Sequence, residues 1–408
     1  MASESPYRVR AVHCDHRASD EEVYQALVRA TSPLDRSWAK LKRAGRIMIK
    51  FNQAFLPENL RYHEGQLQDL VDPSVARATL RLLRKETDAE LCCTEISVYA
   101  GRDRDCPAIE TITLLDLLRE FDVTFVDGNE PPNKVCRVPG GGLMFQQYLL
   151  PEAVADADEF VSVQKMKSHV FMGVTMTLKN LFGLLPIKPP GRARSYFHHL
   201  VRLPYILVDL GRMINPALNI VDALIGQTGR EWRSAPRVCD ALIAGDHTIA
   251  TDACGTHLMG HDPAGDWPIQ PFVRARNALL IAHQNGFGTV DLNEIDFESE
   301  VEAPLAAFST DMTDPPDVVA DWRRTTCEQA LYYRDHRDKF ISRYAGEFIL
   351  LQQNEVRWHS TDSVFRGSRR DLAGDDKRQA MWFKYVDPDE AEGEHFEVYE
   401  RTLAQFDK

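Results

Sequence analysis

The 408-residue chain contains no run of about 18 consecutive apolar residues, so it predicts no membrane-spanning helix. No CxxC spacing links its eight cysteines, and most of them lie in apolar stretches where a reduced thiol behaves as a small hydrophobe. A GxxxxGK[ST] loop is absent, and the Gly140-Gly141-Gly142 run lacks the strand–GxGxxG–helix context of a dinucleotide site, so it is read as a turn. Basic residues are in deficit. Lysine plus arginine number 48 against 61 acidic residues, and the net charge of −13 argues against nucleic acid as a partner. The first residues lack the apolar core of a secretory signal, so the expectation is a cytoplasmic protein with free thiols. There is no internal repeat and no low-complexity tract, and a hydrophobic fraction of 44% excludes wholesale disorder.

What is present is an alternation of short apolar runs with amphipathic segments. Residues 46–51 read as a buried strand preceded by the turn residue Gly45. A polar loop is expected over 52–72, and a helix over 73–83 with proline at its start. Strands are predicted at 91–98, 123–126, 134–138, 159–163, 217–224 and 238–244, and helices at 112–121, 174–182, 248–259 and 275–285. This order predicts an α/β fold, a mostly parallel sheet with helices on both faces, over residues 1–300. Residues 301–408 read as a small α+β appendage: an exposed loop at 311–321, a charged helical segment at 327–345, and a hairpin around Gln353-Asn354.

Ligands of such sheets bind beyond the carboxyl ends of strands, so polar residues there carry the functional expectation. Lys50 and Asn52 end the first of these strands, and Lys167 and His169 lie where a later strand gives way to a loop. Lys179 and Asn180 stand in an otherwise apolar helical segment, where a charge needs a carboxylate or an anionic ligand as partner. Asp222 lies in the strand expected at 217–224, Asp252 lies among Ala, Thr and Cys in a helix, and Asp246 reads as that helix's N-cap. His198 and His199 are adjacent, so at most one of them is expected to ligate a given metal.

Taken together these stretches resemble the family catalogued as domain of unknown function 362, over roughly residues 46–295. The resemblance rests on Lys167-Ser168-His169, Gly173-Val174-Thr175, Leu178-Lys179-Asn180-Leu181-Phe182-Gly183-Leu184-Leu185-Pro186, Ile220-Val221-Asp222-Ala223, Thr251-Asp252-Ala253 and Met259-Gly260-His261-Asp262-Pro263. Many members carry a ferredoxin-like iron–sulfur segment; this chain has no CxxCxxC run, so no cluster of that type is expected. A fainter similarity is to lactate-racemase-like proteins, which implies small carboxylates as ligands.

The leading expectation is an enzyme acting on a small carboxylate- or phosphate-bearing metabolite. Lys167, His169, Lys179 and Asp252 are the candidate catalytic groups, and Lys50, Asn52, Asn180 and Asp222 the candidate substrate-binding groups. One alternative places a divalent metal in the same cleft, with His198, His199 or His169 as ligand beside Asp222 or Asp252. Another is a non-catalytic metabolite-binding or scaffolding module. A homo-oligomer is compatible with each.

Overall fold

The computed structural model describes residues 6–97, 106–363, 372 and 380–406. Its first strands are β1 (Tyr7–His13), β2 (Arg46–Phe51), β3 (Tyr62–His63), β4 (Gln66–Leu67), β5 (Glu90–Glu95), β6 (Thr124–Asp127), β7 (Asn133–Arg137) and β8 (Gln147–Pro151). They are followed by β9 (Glu159–His169), β10 (Gly173–Thr175), β11 (Leu218–Thr228), β12 (Ala235–Gly245), β13 (Ile295–Ser299), β14 (Phe348–Gln352), β15 (Glu355–Ser360) and β16 (Trp382–Tyr385).

A nine-stranded sheet runs β13-β1-β12-β11-β9-β2-β5-β6, with β10 added alongside β9. Neighbours are parallel from β11 through β6 and between β1 and β13, whereas β12 is antiparallel to both its neighbours and β10 to β9. Side-chain alternation explains why helices cover both faces. Ile47, Ile49 and Phe51 of β2, with Val161 and Val163 of β9, pack in one core with residues of the helices Asp20–Thr31 and Pro73–Glu86. Met48 and Phe160, out of step by one, face a second core shared with the helices Arg202–Ile214 and Ala278–Gln284.

The path of the chain places the site. From β2 it runs outward to β5 and β6, then crosses back to β9 on the other side of β2 and continues to β11. Connections therefore diverge at the β2/β9 boundary, which leaves a crevice beyond the carboxyl ends of those strands.

Several elements differ from the sequence reading. The strand expected at 159–163 continues to His169, because its polar residues Gln164, Lys165, Lys167 and Ser168 are all buried. The helix expected at 174–182 is divided into β10, a short helix Thr177–Asn180 and a 3₁₀ turn Leu181–Leu184. The expected strand over 134–138 becomes β7, which pairs with β8 outside the large sheet. Residues 52–72 are not a solvated loop: Phe55, Leu67 and Leu70 form a small apolar cluster with Trp232. Asp246 does not cap its helix; its carboxylate accepts from Arg8 N–H at 2.9 Å, and His247 Nδ1 caps Ile249 N–H instead. Val98, the end of another expected strand, lies outside the described residues.

In the C-terminal part, a helix Pro316–Asp335 begins inside the expected loop 311–321, with proline in its first turn. β14 and β15 form the hairpin around Gln353 and Asn354, both at positive φ, and β16 completes a three-stranded antiparallel sheet. Its apolar face joins the same core as the helix Arg202–Ile214. Arg202 crosses that junction, ion-paired with Glu394 at 2.7 Å and bonded to the Tyr399 hydroxyl at 2.8 Å, all of it buried. Among the described residues no helix is long and apolar enough to cross a membrane.

Candidate active site

A cavity of about 390 Å³ opens beyond the carboxyl ends of β2, β5 and β9. β2 contributes Lys50 and, just past its end, Asn52; β5 contributes Glu95; β9 contributes Lys167 and His169. The short helix Thr177–Asn180 brings in Lys179 and Asn180, and the following segment brings Arg194 and His198. The β11–β12 connection closes one wall with Glu231 and Trp232, the latter stacked on Phe55 at 4.8 Å. Thus Lys50, Asn52, Lys167, His169, Lys179, Asn180 and His198 share one cavity.

Its three lysines have different environments. Lys50 Nζ lies 2.6 Å from Glu95 Oε1, and the same carboxylate accepts backbone N–H bonds from Gln53 and Ile96 at 3.1 and 3.0 Å. This pair requires a glycine opposite it: a Cβ on Gly183 would come within 2.6 Å of Lys50 Cε. Lys167 Nζ donates to the carbonyls of Asp69 and Glu231 and sits 4.2 Å from the centre of the Trp232 ring. Burial, against which the nearby Asp69 carboxylate only partly compensates, pushes its ammonium down to about 7. Lys179 Nζ has no hydrogen bond or ion pair among the described residues and stands over the Phe182 ring at 4.4 Å. Burial, then the Arg194 charge, drives its pKa well below the usual lysine value.

The two imidazoles are held as neutral rings. His169 Nδ1 accepts N–H bonds from Phe171 and Met172 at 3.0 and 3.3 Å, which fixes the ring proton on Nε2. His198 stacks on it with ring centroids 5.9 Å apart. Burial, followed by the charges of Lys179 and Arg194, holds both well below the ordinary histidine range. Among the described residues the lining carries four basic side chains, Lys50, Lys167, Lys179 and Arg194, and two carboxylates, Glu95 and Glu231. Asn52 and Thr175 also line the cavity, and among the described residues Asn52 Oδ1 and Thr175 Oγ1 are buried without a hydrogen-bond partner.

Three sequence candidates lie outside the cavity lining. Asp222, expected to bind substrate, is fully buried 2.8 Å from Lys165 Nζ and accepts from Asp72 N–H at 2.8 Å. His199, expected as a metal ligand, has its two ring nitrogens 3.0 and 3.1 Å from the carbonyls of Leu200 and Met381, so neither faces a metal. Asp252, expected as a catalytic group, accepts from Thr177 N–H, Thr177 Oγ1 and Leu178 N–H at 2.9, 2.6 and 2.8 Å. It anchors the first turn of the helix bearing Lys179, and burial pushes its carboxyl up to about 7. Asn180 lines the cavity, but its amide nitrogen donates to Lys50 O, Ser162 Oγ and Val163 O, which ties the helix to β2 and β9. Asp252→Asn turns an N–H donor toward backbone N–H groups. It is expected to cost about 2 kcal/mol in urea unfolding and to weaken ligand binding through displacement of Lys179. Unchanged stability would remove the anchoring role.

Glu95, Arg194, Glu231 and Trp232 were not singled out from the sequence. Glu95 alone carried a signal, an acidic residue inside the apolar strand expected at 91–98. Among the described residues, one group brings three metal-type ligand atoms within 4.8 Å of one another, Asp15, His16 and Asp240, none of which lines the cavity. His16 bonds Asp240 through Nδ1 at 2.7 Å and Glu64 through Nε2 at 2.9 Å, so internal pairing accounts for the cluster.

Residues 56–257 match the family model described as Domain of unknown function (DUF362). The DUF362 match is shorter than the stretch 46–295 over which the resemblance was read, and it leaves Lys50, Asn52 and residues 259–263 outside. It includes Lys167, His169, Lys179, Asn180, Arg194, His198 and Glu231. A thylakoid-associated protein of Synechocystis is 30% identical over 126 residues, 29% of this chain and 38% of that protein. The chain thus spans well under half the length of this relative. Among solved structures, the lactate racemase apoprotein of Thermoanaerobacterium thermosaccharolyticum aligns over 62% of this chain and 56% of that one. At a TM-score of 0.36 and 14% identity, that likeness carries no argument about chemistry.

Proposed function

We propose that this protein is an enzyme whose cavity binds a small carboxylate- or phosphate-bearing metabolite and handles its protons with lysine and histidine. The observation that carries the reading is the convergence of Lys50, Lys167, Lys179 and Arg194 on one cavity whose lining, among the described residues, holds two acidic side chains, Glu95 and Glu231. Unlike lysine, Arg194 keeps its charge at every working pH and supplies a planar donor fork for a carboxylate or phosphate. Lys167, at about 7, is poised to give or take a proton near neutrality. His169 Nε2–H is a donor in the same wall. The Arg194 charge acts on His169 and His198, as does that of Lys167 on His169 when protonated, and both repel a divalent ion there, so the anion reading is preferred to the metal one.

An anion bound beside Lys167 stabilises its charged form, so binding draws in a proton at pH above about 7. Affinity for lactate or inorganic phosphate is expected to fall as pH rises from 7 toward 9, by roughly tenfold per unit at the steepest. Calorimetric titration in two buffers of different ionisation heat measures that proton uptake directly. Absence of saturable binding of either anion, or affinity independent of pH, would overturn the proposal.

A further inference from the structure

The three lysines of the cavity divide by what holds them. Lys50 is engaged with Glu95 and Lys167 with two backbone carbonyls, so both amines already donate to fixed acceptors. Lys179 is different. Its side chain is only 8% exposed, it lines the cavity, and no hydrogen bond or ion pair holds Nζ among the described residues. The helix carrying it is nevertheless fixed at both ends, by Asp252 at Thr177 and Leu178 and by the Asn180 amide on β2 and β9. The structure thus presents a positioned backbone, an unengaged buried amine, and neighbouring Arg194 to hold an anion.

From this geometry we infer that Lys179 is a covalent nucleophile, forming an imine with the carbonyl of a small oxo acid whose carboxylate lies against Arg194. The inference rests on the anion-site reading above and names its substrate class. A lysine attacks only as the free amine, and burial beside other cations is the setting that keeps it unprotonated. The Nζ lone pair bonds to the carbonyl carbon while the C=O pair moves onto oxygen, which takes a proton; His169 Nε2–H is a donor available in that wall. Nitrogen then loses a proton, the hydroxyl is protonated and leaves as water, and C=N forms. No oxidant or reductant is consumed. The protonated imine then draws electron density from bonds at the adjacent carbons.

The test uses the full chain with pyruvate and sodium cyanoborohydride, followed by peptide mapping, with lactate titrated separately. Reduction traps the imine irreversibly and adds the mass of one pyruvate less one oxygen atom. The expected result is a single adduct at Lys179, reduced roughly tenfold or more in Lys179→Arg and retained in Lys339→Arg, a change at an exposed lysine. Saturable binding of lactate and pyruvate without an adduct at Lys179 would overturn the imine and leave the anion site standing. Binding of neither would sink both. Because mapping of the unsubstituted chain decides the site, a Lys179 variant that fails to fold does not rescue the idea, and an adduct distributed over surface lysines refutes it.

Discussion

Asp222→Ala is expected to destabilise the protein by about 3–5 kcal/mol, the largest effect foreseen for a single side chain. Lys165 and Asp222 are both 0% exposed and 2.8 Å apart, so removing the carboxylate leaves an ammonium in the core with no counter-charge. The same substitution strips Asp72 N–H of its acceptor, and Asp72 begins the helix Pro73–Glu86. Urea unfolding at neutral pH measures the loss. A double variant, Lys165→Met with Asp222→Leu, should recover most of it, because two apolar side chains need neither partner nor desolvation. A loss below about 1 kcal/mol in the single variant would mean that water reaches the pair.

Lys167→Met is expected to act in opposite directions on binding and on stability. Lactate or phosphate affinity should fall by roughly two orders of magnitude, the scale of one desolvated charge-assisted contact. Stability should rise at pH 7. In the folded chain burial holds this ammonium at about 7, against its usual 10.5, so between those values the unfolded chain binds more protons than the folded one. Stability therefore increases with pH through that interval, and the burial penalty is present in full below it. From pH 7 to about 8.5 this one group contributes about 1.5 kcal/mol of pH-dependent stabilisation, on top of a thiol contribution common to both proteins. That increment should vanish in Lys167→Met. Urea titrations of both proteins at the two pH values give the difference, and equal slopes would mean that the amine stays protonated in the folded state.

The α/β layout was legible because it rests on local signals. Runs such as 46–51, capped helices such as 73–83 and the glycine stop at 260 follow from periodicity and from what the backbone tolerates. The hairpin at Gln353-Asn354 was legible for the same reason, since both residues tolerate positive φ better than branched ones do. The second half of β9 was not. Gln164, Lys165, Lys167 and Ser168 read as a departure from the strand, yet each is buried, and for Lys165 it is Asp222 on the next strand that pairs the charge. Helix Thr177–Asn180 was overextended in the sequence reading because apolar content alone does not register a 3₁₀ turn.

The same division runs through the site. Lysines at strand ends and inside an apolar segment are visible in one dimension, since a charge in such a setting needs an explanation wherever the chain goes. Which carboxylate satisfies which lysine is not visible: Asp222 and Asp252 were indistinguishable in sequence from groups that face a ligand, and Glu95 and Glu231 passed unmarked. The sequence by itself determined the α/β layering and marked Lys50, Lys167, His169 and Lys179 as residues needing partners, because periodicity and the cost of burying charge are local properties. Only the tertiary structure decided that Lys50 answers to Glu95 and Lys165 to Asp222 while Lys179 has no ion pair among the described residues, because ion pairing depends on distances of a few ångströms between strands far apart in the chain.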